Sequence, residues 1–306
     1  LQSNLLKLSA GIAAAVVLLS ILLSRMLTRK ISTLLTAIRK VRAGAYEHRT
    51  HISGRDEIAQ IGEEFNSLTD RLQTTETLRR RFVSDASHEL KTPLAAIRLL
   101  TDSILQTDQM DMETVRDFVT DIGSEAERLS RITEDLLRLT RLDSDLLDAP
   151  ETVEVAPVLE QVMRMMSLLA QEKGTELTYR MEENCRVSAT KGEVHQVIYN
   201  LTDNAVKYSG KNGKVRVELR HEDHDVVLTV ADNGPGIPEE DLPKVFERFY
   251  RVDKARSRAA GGTGLGLSIV QDTVKKRGGT VSAANRAGGG AVFTVRWSEA
   301  EGGDHS

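Results

Sequence analysis

The chain has 306 residues, a formal net charge of -4, 28% charged and 4% aromatic residues, and a single cysteine. That length allows two or more domains, and the slightly acidic balance argues against a general nucleic-acid binder. One thiol, Cys185, excludes an intrachain disulfide and a cysteine-based metal cluster, so it reads as a small core residue.

From Leu8 to Ser24 the sequence carries no charge, and Ile12 to Leu23 is dominated by Ala, Val, Leu and Ile. A bilayer needs about 20 apolar residues, and snorkelling of Lys7 extends this run. Arg25, Arg29 and Lys30 crowd its C-terminal side, which places that side in the cytoplasm. A cleaved signal peptide is the rival reading, but the basic flank follows the apolar run and no small-residue cleavage site is evident. Residues 1–24 are therefore expected to be a transmembrane helix. The opening Leu1, rather than Met, suggests that a sensor region precedes it.

Ile31, Leu34, Ile38 and Val41 then give a 3-4-3 spacing, with Gly44 as a helix stop. Ile58, Ile61, Phe65, Leu68 and Leu72 repeat at 3-4-3-4, a coiled-coil seam, behind Arg55-Asp56-Glu57, whose acids suit a helix N-terminus. A membrane helix, a first helix, a loop, Asp-Glu and a second helix resemble a HAMP linker, assigned to residues 25–76. Leu34 stands where that family's proline usually sits. Stripped of the resemblance, the segment is a plain coiled-coil spacer.

The seam continues through Leu78 and Phe82 into Ser87-His88-Glu89-Leu90-Lys91-Thr92-Pro93-Leu94. Residues four apart share a helical face, so His88 and Thr92 project together, and Glu89 sits about 100° round the helix from His88. A neutral imidazole nitrogen is a good nucleophile near neutral pH, and a carboxylate can orient it and take up its proton. Pro93 removes a backbone donor and is expected to bend the helix just past the histidine. A lone His on such a face is ordinarily just solvated. Here the whole string resembles the phospho-acceptor box of sensor histidine kinases. Val115, Phe118, Ile122, Leu129, Ile132, Leu136 and Leu139 mark a second long helix after a polar hairpin loop at 107–111. Two such helices leave apolar stripes that a homodimeric four-helix bundle would bury. Residues 77–145 thus resemble the dimerisation and histidine-phosphotransfer domain, with Asp143 to Val155 as the linker out of it.

Beyond about Glu154 helical stripes (Val158, Val162, Met165, Met166, Leu169) alternate with strand-like runs (Val215 to Leu219, Val226 to Val230, Val292 to Trp297), which argues for a two-layer α/β sandwich over 146–300 with a tail at 301–306. Three motifs lie within it. Asn200, Asn204 and Lys207 fall on one face of a helix ending near Tyr208; amide oxygen suits Mg2+ and Lys207 suits phosphate. Asp232-Asn233-Gly234-Pro235-Gly236-Ile237 follows a strand; a buried carboxylate can accept from the adenine amine, and glycines admit the base closely. Gly261-Gly262-Thr263-Gly264-Leu265-Gly266 opens a helix whose free N–H groups suit phosphate. Singly, each is compatible with polar surface, a tight turn or an ordinary glycine loop.

In this order, with Phe246-Glu247-Arg248-Phe249-Tyr250-Arg251 between the last two, they resemble the N, G1, F and G2 boxes of the GHKL ATP-binding fold. The resemblance implies Asn200 as a Mg2+ ligand and Asn204, Lys207, Tyr208, Asp232, Gly234, Gly236, Ile237, Arg251, Gly262, Thr263, Gly264, Leu265 and Gly266 as the ATP site. Arg251 would touch phosphate at the start of a lid over 254–260. Phe246 and Phe249 are lid hinges or core packing, and Trp297 is core.

The expected architecture is thus a multidomain α plus α+β chain: transmembrane helix, parallel HAMP coiled coil, dimeric antiparallel four-helix bundle and two-layer ATP-binding domain. Resemblance to membrane-bound two-component sensor histidine kinases implies ATP-dependent phosphorylation of His88 with Glu89 as base and transfer to a response-regulator aspartate. Glu89-x-x-Thr92 further implies dephosphorylation of that partner. It also implies homodimers in the cell membrane with the catalytic part in the cytoplasm, and no nucleic-acid partner. A GHKL ATPase driving dimer closure, or a catalytically silent dimeric membrane scaffold, are the alternatives. His48, His51, His195, His221, His224 and His305 lack metal-site spacing and read as ordinary.

Overall fold

A computed structural model describes residues 2–107, 110–143, 149–210, 212–253 and 262–300 of the chain. It divides into two compact units, Leu1–Ser84 and Asp85–Ser306.

In the first unit α1 spans Gln2–Arg42. Ala10–Arg42 is long and apolar enough to cross a membrane, and side chains such as Val16, Leu18 and Leu22 are exposed, as lipid-facing groups are. The helix stops at a Schellman turn. Gly44 takes a φ of 93°, Gly44 N–H bonds the Val41 carbonyl and Ala45 N–H the Lys40 carbonyl, which satisfies carbonyls that a helix end leaves bare. Arg39, Lys40 and Arg42 in the last turn complement the negative end of the helix dipole. Two interactions tie the connector to the next helix. Thr50 N–H donates to Asn66 Oδ1 and Asn66 Nδ2 donates back to the Thr50 carbonyl, both at 2.9 Å. Arg49 meanwhile pairs with Asp70.

The second helix, α2, spans Glu57–Gln106. Asp56 Oδ1 caps it by accepting from Ala59 N–H at 3.1 Å, and its other oxygen meets Lys30 Nζ at 2.6 Å. The lysine, then the amide, hold its carboxyl below the usual range. The helix bears the coiled-coil seam and His88 without interruption. Pro93, expected to bend it, lies inside one continuous helix, its side chain buried. Pro93 has no N–H to give the Glu89 carbonyl four residues back, so the helix lacks that one bond.

The second unit takes up the later part of α2. Helix α3 spans Met112–Asp143, and Asp111 caps its start through Thr114 N–H at 2.8 Å. The hairpin loop at 107–111 and the linker at 143–155 lie partly outside the described residues. The part of that linker which is described is not a linker: Glu151–Glu154 forms β1, paired antiparallel with β3 (Arg186–Ala189), and Val155 already starts α4 (Val155–Glu172). Val153 and Val155 are buried there, so their hydrophobicity decides the structure.

A five-stranded sheet follows in the order β2 (Glu176–Met181), β4 (Lys214–Glu222), β5 (Asp225–Asp232), β7 (Ala291–Ser298), β6 (Thr280–Asn285). Only β2–β4 is parallel. Helices α4, α5 (Lys191–Tyr208) and α6 (Gly266–Lys276) pack on it. Alternate residues of β7 (Ala291, Phe293, Val295, Trp297) and β4 (Val215, Val217, Leu219) are buried in the common core, where α5 adds Val194, Val197, Ile198, Leu201 and Ala205 at helical spacing. Side chains lying between them along the strands, Arg216, Glu218, Arg220, Glu222 and Arg296, form ion pairs instead. The result is the expected two-layer sandwich, with the common core on one side of the sheet and Val227 buried among the ion pairs of the other.

Phe246 meets Phe293 edge to face at 6.2 Å, so core packing rather than a hinge describes it. Cys185 is buried, and desolvation pushes its thiol up to about 11. At the start of α5 Thr190 and Glu193 form a capping box, and Glu193 also pairs with Arg277 after α6 at 2.9 Å.

Leu201 is fully buried between α5 and the sheet, so Leu201→Ala should lower stability by about 2–5 kcal/mol. Urea unfolding followed by the fluorescence of Trp297, the single tryptophan and a member of the same core, would read the loss as a lower midpoint.

Candidate functional site

His88 is exposed on α2, and among the described residues its ring has no hydrogen-bond partner. Thr92, one turn on, donates its hydroxyl to the His88 carbonyl at 3.2 Å, so the two expected neighbours do share a face. Glu89 takes a different direction. Half-buried, it turns toward α3, where its Oε2 accepts from Arg128 Nη2 at 3.3 Å and from Arg251 Nη2 at 3.0 Å. No hydrogen bond joins Glu89 to His88 among the described residues.

Both guanidiniums are deeply placed: the Arg251 side chain is 5% exposed and that of Arg128 8%. Burial pushes the Arg251 pKa below its ordinary value, with Glu89 opposing the shift. Arg128 Nη1 also faces Glu125 Oε2 at 3.6 Å. The Nε atoms of both arginines are buried without a hydrogen-bond partner among the described residues. Arg251 was expected on a nucleotide phosphate; here it lies on the carboxylate beside the candidate phospho-acceptor. The expected lid at 254–260 lies outside the described residues.

The nucleotide boxes come together around the end of β5. Asp232 is buried, and its Oδ1 accepts from Gly234 N–H at 2.7 Å and Ala291 N–H at 3.2 Å. Desolvation pushes its pKa up, and those two amides pull against the rise. Its Oδ2 has no protein donor among the described residues, which leaves an acceptor for a ligand amine. Gly234 is required by space, because a Cβ would overlap the Tyr208 carbonyl oxygen at the end of α5. Gly236, at a φ of 75°, precedes Ile237, whose amide and carbonyl are both held by the Asn285 side chain at 2.8 and 2.6 Å. Gly290 was not anticipated. A Cβ there would collide with the Asp232 carbonyl, and its only trace in the sequence is the run Gly288-Gly289-Gly290 ahead of a strand.

On α5 the side chains of Asn200, Asn204, Lys207 and Tyr208 are half-buried. Asn200 Nδ2 donates to the Gly266 carbonyl at 3.0 Å, and its Oδ1 accepts from Gln196 Nε2 at 2.7 Å. Lys207 pairs with Asp203 at 2.6 Å. No cluster of three His, Cys, Asp or Glu side chains is arranged for a metal among the described residues. An amide oxygen with one lone pair still free fits Mg2+, which keeps waters and substrate phosphates as its remaining ligands. The glycine loop supplies Gly262, Thr263, Gly264 and Leu265 ahead of α6. Gly264, at a φ of 74°, accepts from Phe249 N–H at 2.8 Å. Thr263 accepts from Leu265 N–H and donates to Asp135 Oδ2 on α3 at 2.8 Å; burial pushes the Asp135 pKa up. Arg138 of α3 meanwhile hydrogen-bonds Gln196. The α2–α3 hairpin thus touches both α5 and the glycine loop. Arg138 and Asp135, which make those contacts, and Arg128, which holds Glu89, carried no motif in the sequence. Of the histidines, His195 stacks on Tyr199 and His221 faces Glu299 at 3.7 Å, while His305 lies outside the described residues.

Comparison with known proteins finds three families along the chain. Residues 22–74 match the HAMP domain, 78–145 the His Kinase A (phospho-acceptor) domain, and 189–301 the histidine kinase-, DNA gyrase B-, and HSP90-like ATPase family. The chain is 35% identical to the signal transduction histidine-protein kinase AfsQ2 of Streptomyces coelicolor, over 96% of this chain and 58% of that protein. It is 31% identical to BaeS, a signal transduction histidine-protein kinase of Escherichia coli, over 91% of this chain and 59% of that one. It therefore spans somewhat more than half the length of these relatives. The crystal structure of histidine kinase ThkA in complex with response regulator protein TrrA shares the fold, with a TM-score of 0.59 and 22% identity over 75% of this chain and 66% of that one.

Asp232→Asn keeps an oxygen for Gly234 and Ala291 but sets an NH2 group where Oδ2 would meet a donor. A mismatched buried hydrogen bond costs about 1–3 kcal/mol, so ATP affinity should fall about ten- to hundredfold. Equilibrium binding of a fluorescent ATP analogue, competed with unlabelled ATP, checks this.

Proposed function

We propose that this chain, which carries HAMP, HisKA and HATPase_c domains and so belongs to the sensor histidine kinases, uses ATP to phosphorylate its own His88 and passes the phosphoryl group to an aspartate of a response regulator. One observation above all supports the reading. Arg251, the last residue of the F box, reaches the Glu89 carboxylate at 3.0 Å, so the ATP-binding domain and the acceptor helix already meet at the residue that follows His88 in the chain.

In the reaction, an unprotonated His88 ring nitrogen forms the new P–N bond as the bond from the γ-phosphorus to ADP breaks, and the proton on the other ring nitrogen passes to Glu89. Asp232 and the glycines at 234 and 236 seat adenine. Asn204, Lys207, Arg251 and the loop from Gly262 to Gly266 receive the phosphates, with Tyr208, Ile237 and Leu265 lining the site. Asn200 would hold Mg2+, whose charge, when it is bound, offsets that of the phosphates. For Lys207 and Arg251 this requires exchange of their present carboxylate partners, Asp203 and Glu89, for phosphate oxygens.

The chain acts as a membrane-anchored homodimer with its catalytic part in the cytoplasm. Apolar α1 and the basic residues behind it support the anchor, and exposed Leu94, Leu99 and Leu105 on α2 with Val119 and Leu137 on α3 leave apolar surface for partners. Ala95, Arg98 and Leu99, exposed just beyond His88, suit the docking of the regulator. Thr92, exposed one turn from His88, supports a second activity, dephosphorylation of that regulator with its hydroxyl positioning a water.

Incubation of the chain with γ-labelled ATP and Mg2+ should give an acid-labile, base-stable label that His88→Gln abolishes. Release of ADP with no label in either protein would favour a GHKL ATPase, and absence of nucleotide binding a scaffold. Thr92→Ala should keep autophosphorylation within about threefold of wild type while regulator dephosphorylation falls at least about tenfold; loss of both would defeat the division of roles between Glu89 and Thr92.

A further inference from the structure

Glu89 Oε2 is shared by two arginines of different standing. Arg251 belongs to the ATP-binding domain and has a second place to go, the nucleotide. Arg128 belongs to α3, the other arm of the hairpin that bears His88, and has none: its side chain is 8% exposed, its Nη2 reaches Glu89, its Nη1 faces Glu125 at 3.6 Å, and its Nε has no partner among the described residues.

A buried guanidinium with an unmet N–H is a poor way to fill a gap between two helices. Buried charge is costly unless fully paired, and well-packed apolar side chains of similar volume often serve stability as well or better. The neighbours of Arg128 along α3, Ile132 and Leu139, are fully buried apolar residues of the kind that such a position otherwise takes. Arg128 has to be explained by what it holds.

We propose that Arg128 is a positioning residue for proton transfer: it keeps the Glu89 carboxylate fixed relative to His88 once Arg251 has turned to the nucleotide. This rests on the kinase reading. A charge-assisted bond from a rigid hairpin defines where a carboxylate points, and Glu89 has no hydrogen bond to His88 that could do so. Arg128 acts through Glu89 and touches neither ATP nor the imidazole. Its loss should therefore lower the rate of the chemical step and leave nucleotide binding alone, a split that separates it from Arg251.

The test is initial-rate autophosphorylation of the full chain over a range of ATP concentrations, for wild type, Arg128→Met, Arg128→Lys and Arg251→Met, with thermal unfolding of each. Arg128→Met should reduce kcat at least about tenfold with KM for ATP within about twofold of wild type; its melting temperature falls, because Glu89 and the buried Glu125 Oε2 lose a partner, so rates are compared at a temperature where every variant is folded. Arg128→Lys, which restores the charge but not the fork, should recover part of that kcat. Arg251→Met should raise KM for ATP. An Arg128→Met protein with wild-type kcat overturns the proposal, as does one in which kcat and KM worsen together, or one whose loss lysine does not relieve. A wild-type chain that takes no label on His88 overturns the kinase reading, and the positioning role with it.

Discussion

One carboxylate oxygen, Oε2 of Glu89, receives guanidinium groups from two separate parts of the second unit. Charges withdrawn from water hold together only where partners are close and well aimed, and here each arginine is almost wholly covered. Arg251 cannot sit so deep without the turn that carries it, and that turn is fixed by Phe249 N–H on the Gly264 carbonyl. Phe249 takes a φ of 63° to make the bond, a conformation uncommon outside glycine. The position of one acidic side chain on α2 is thus connected through a short chain of contacts to the loop that opens α6.

The ATP-binding layer solves a different problem. Its sheet is covered by helices on one side, so strand residues alternate between a dry core and a lattice of arginines and glutamates. Exposed pairs of that kind add little stability; the core carries it. Asp232 breaks the pattern as a carboxylate at the buried edge of this core, held by two backbone amides, and Gly290 is the residue that lets the β7 strand come close enough to supply one of them.

Much of this was legible in the sequence because periodicity and glycine spacing are local properties. The 3-4 spacing of Ile58 to Leu72 and the glycine at 44 marked α2 and the end of α1, and the alternation over 215–219 and the apolar run over 226–230 marked β4 and β5. The motifs at 200–208, 232–237 and 262–266 met around one site. Hidden from the sequence were features set by long-range contact. Glu151–Glu154 looked like linker because a short strand paired with residues 186–189 has no period of its own. Arg128 and Asp135 looked like ordinary polar positions on an amphipathic helix; only the packing of α3 against α2 gives the first its partner Glu89, and only the approach of the glycine loop gives the second its partner Thr263. Arg251 was picked out as a site residue, but its motif says nothing about which of two acceptors it touches at a given moment.

Pro93 sits four residues after Glu89, so the carbonyl left without a donor by the proline ring belongs to the very residue that the two arginines grip. Everywhere else along α2, unwinding or tilting one half of the helix against the other means rupturing a main-chain bond. At this position that rupture is already built in. Torque along the helix axis therefore meets least resistance at the turn of His88, Glu89 and Thr92, and a twist there re-aims the His88 ring and the Glu89 carboxylate relative to each other while the helix on either side stays whole.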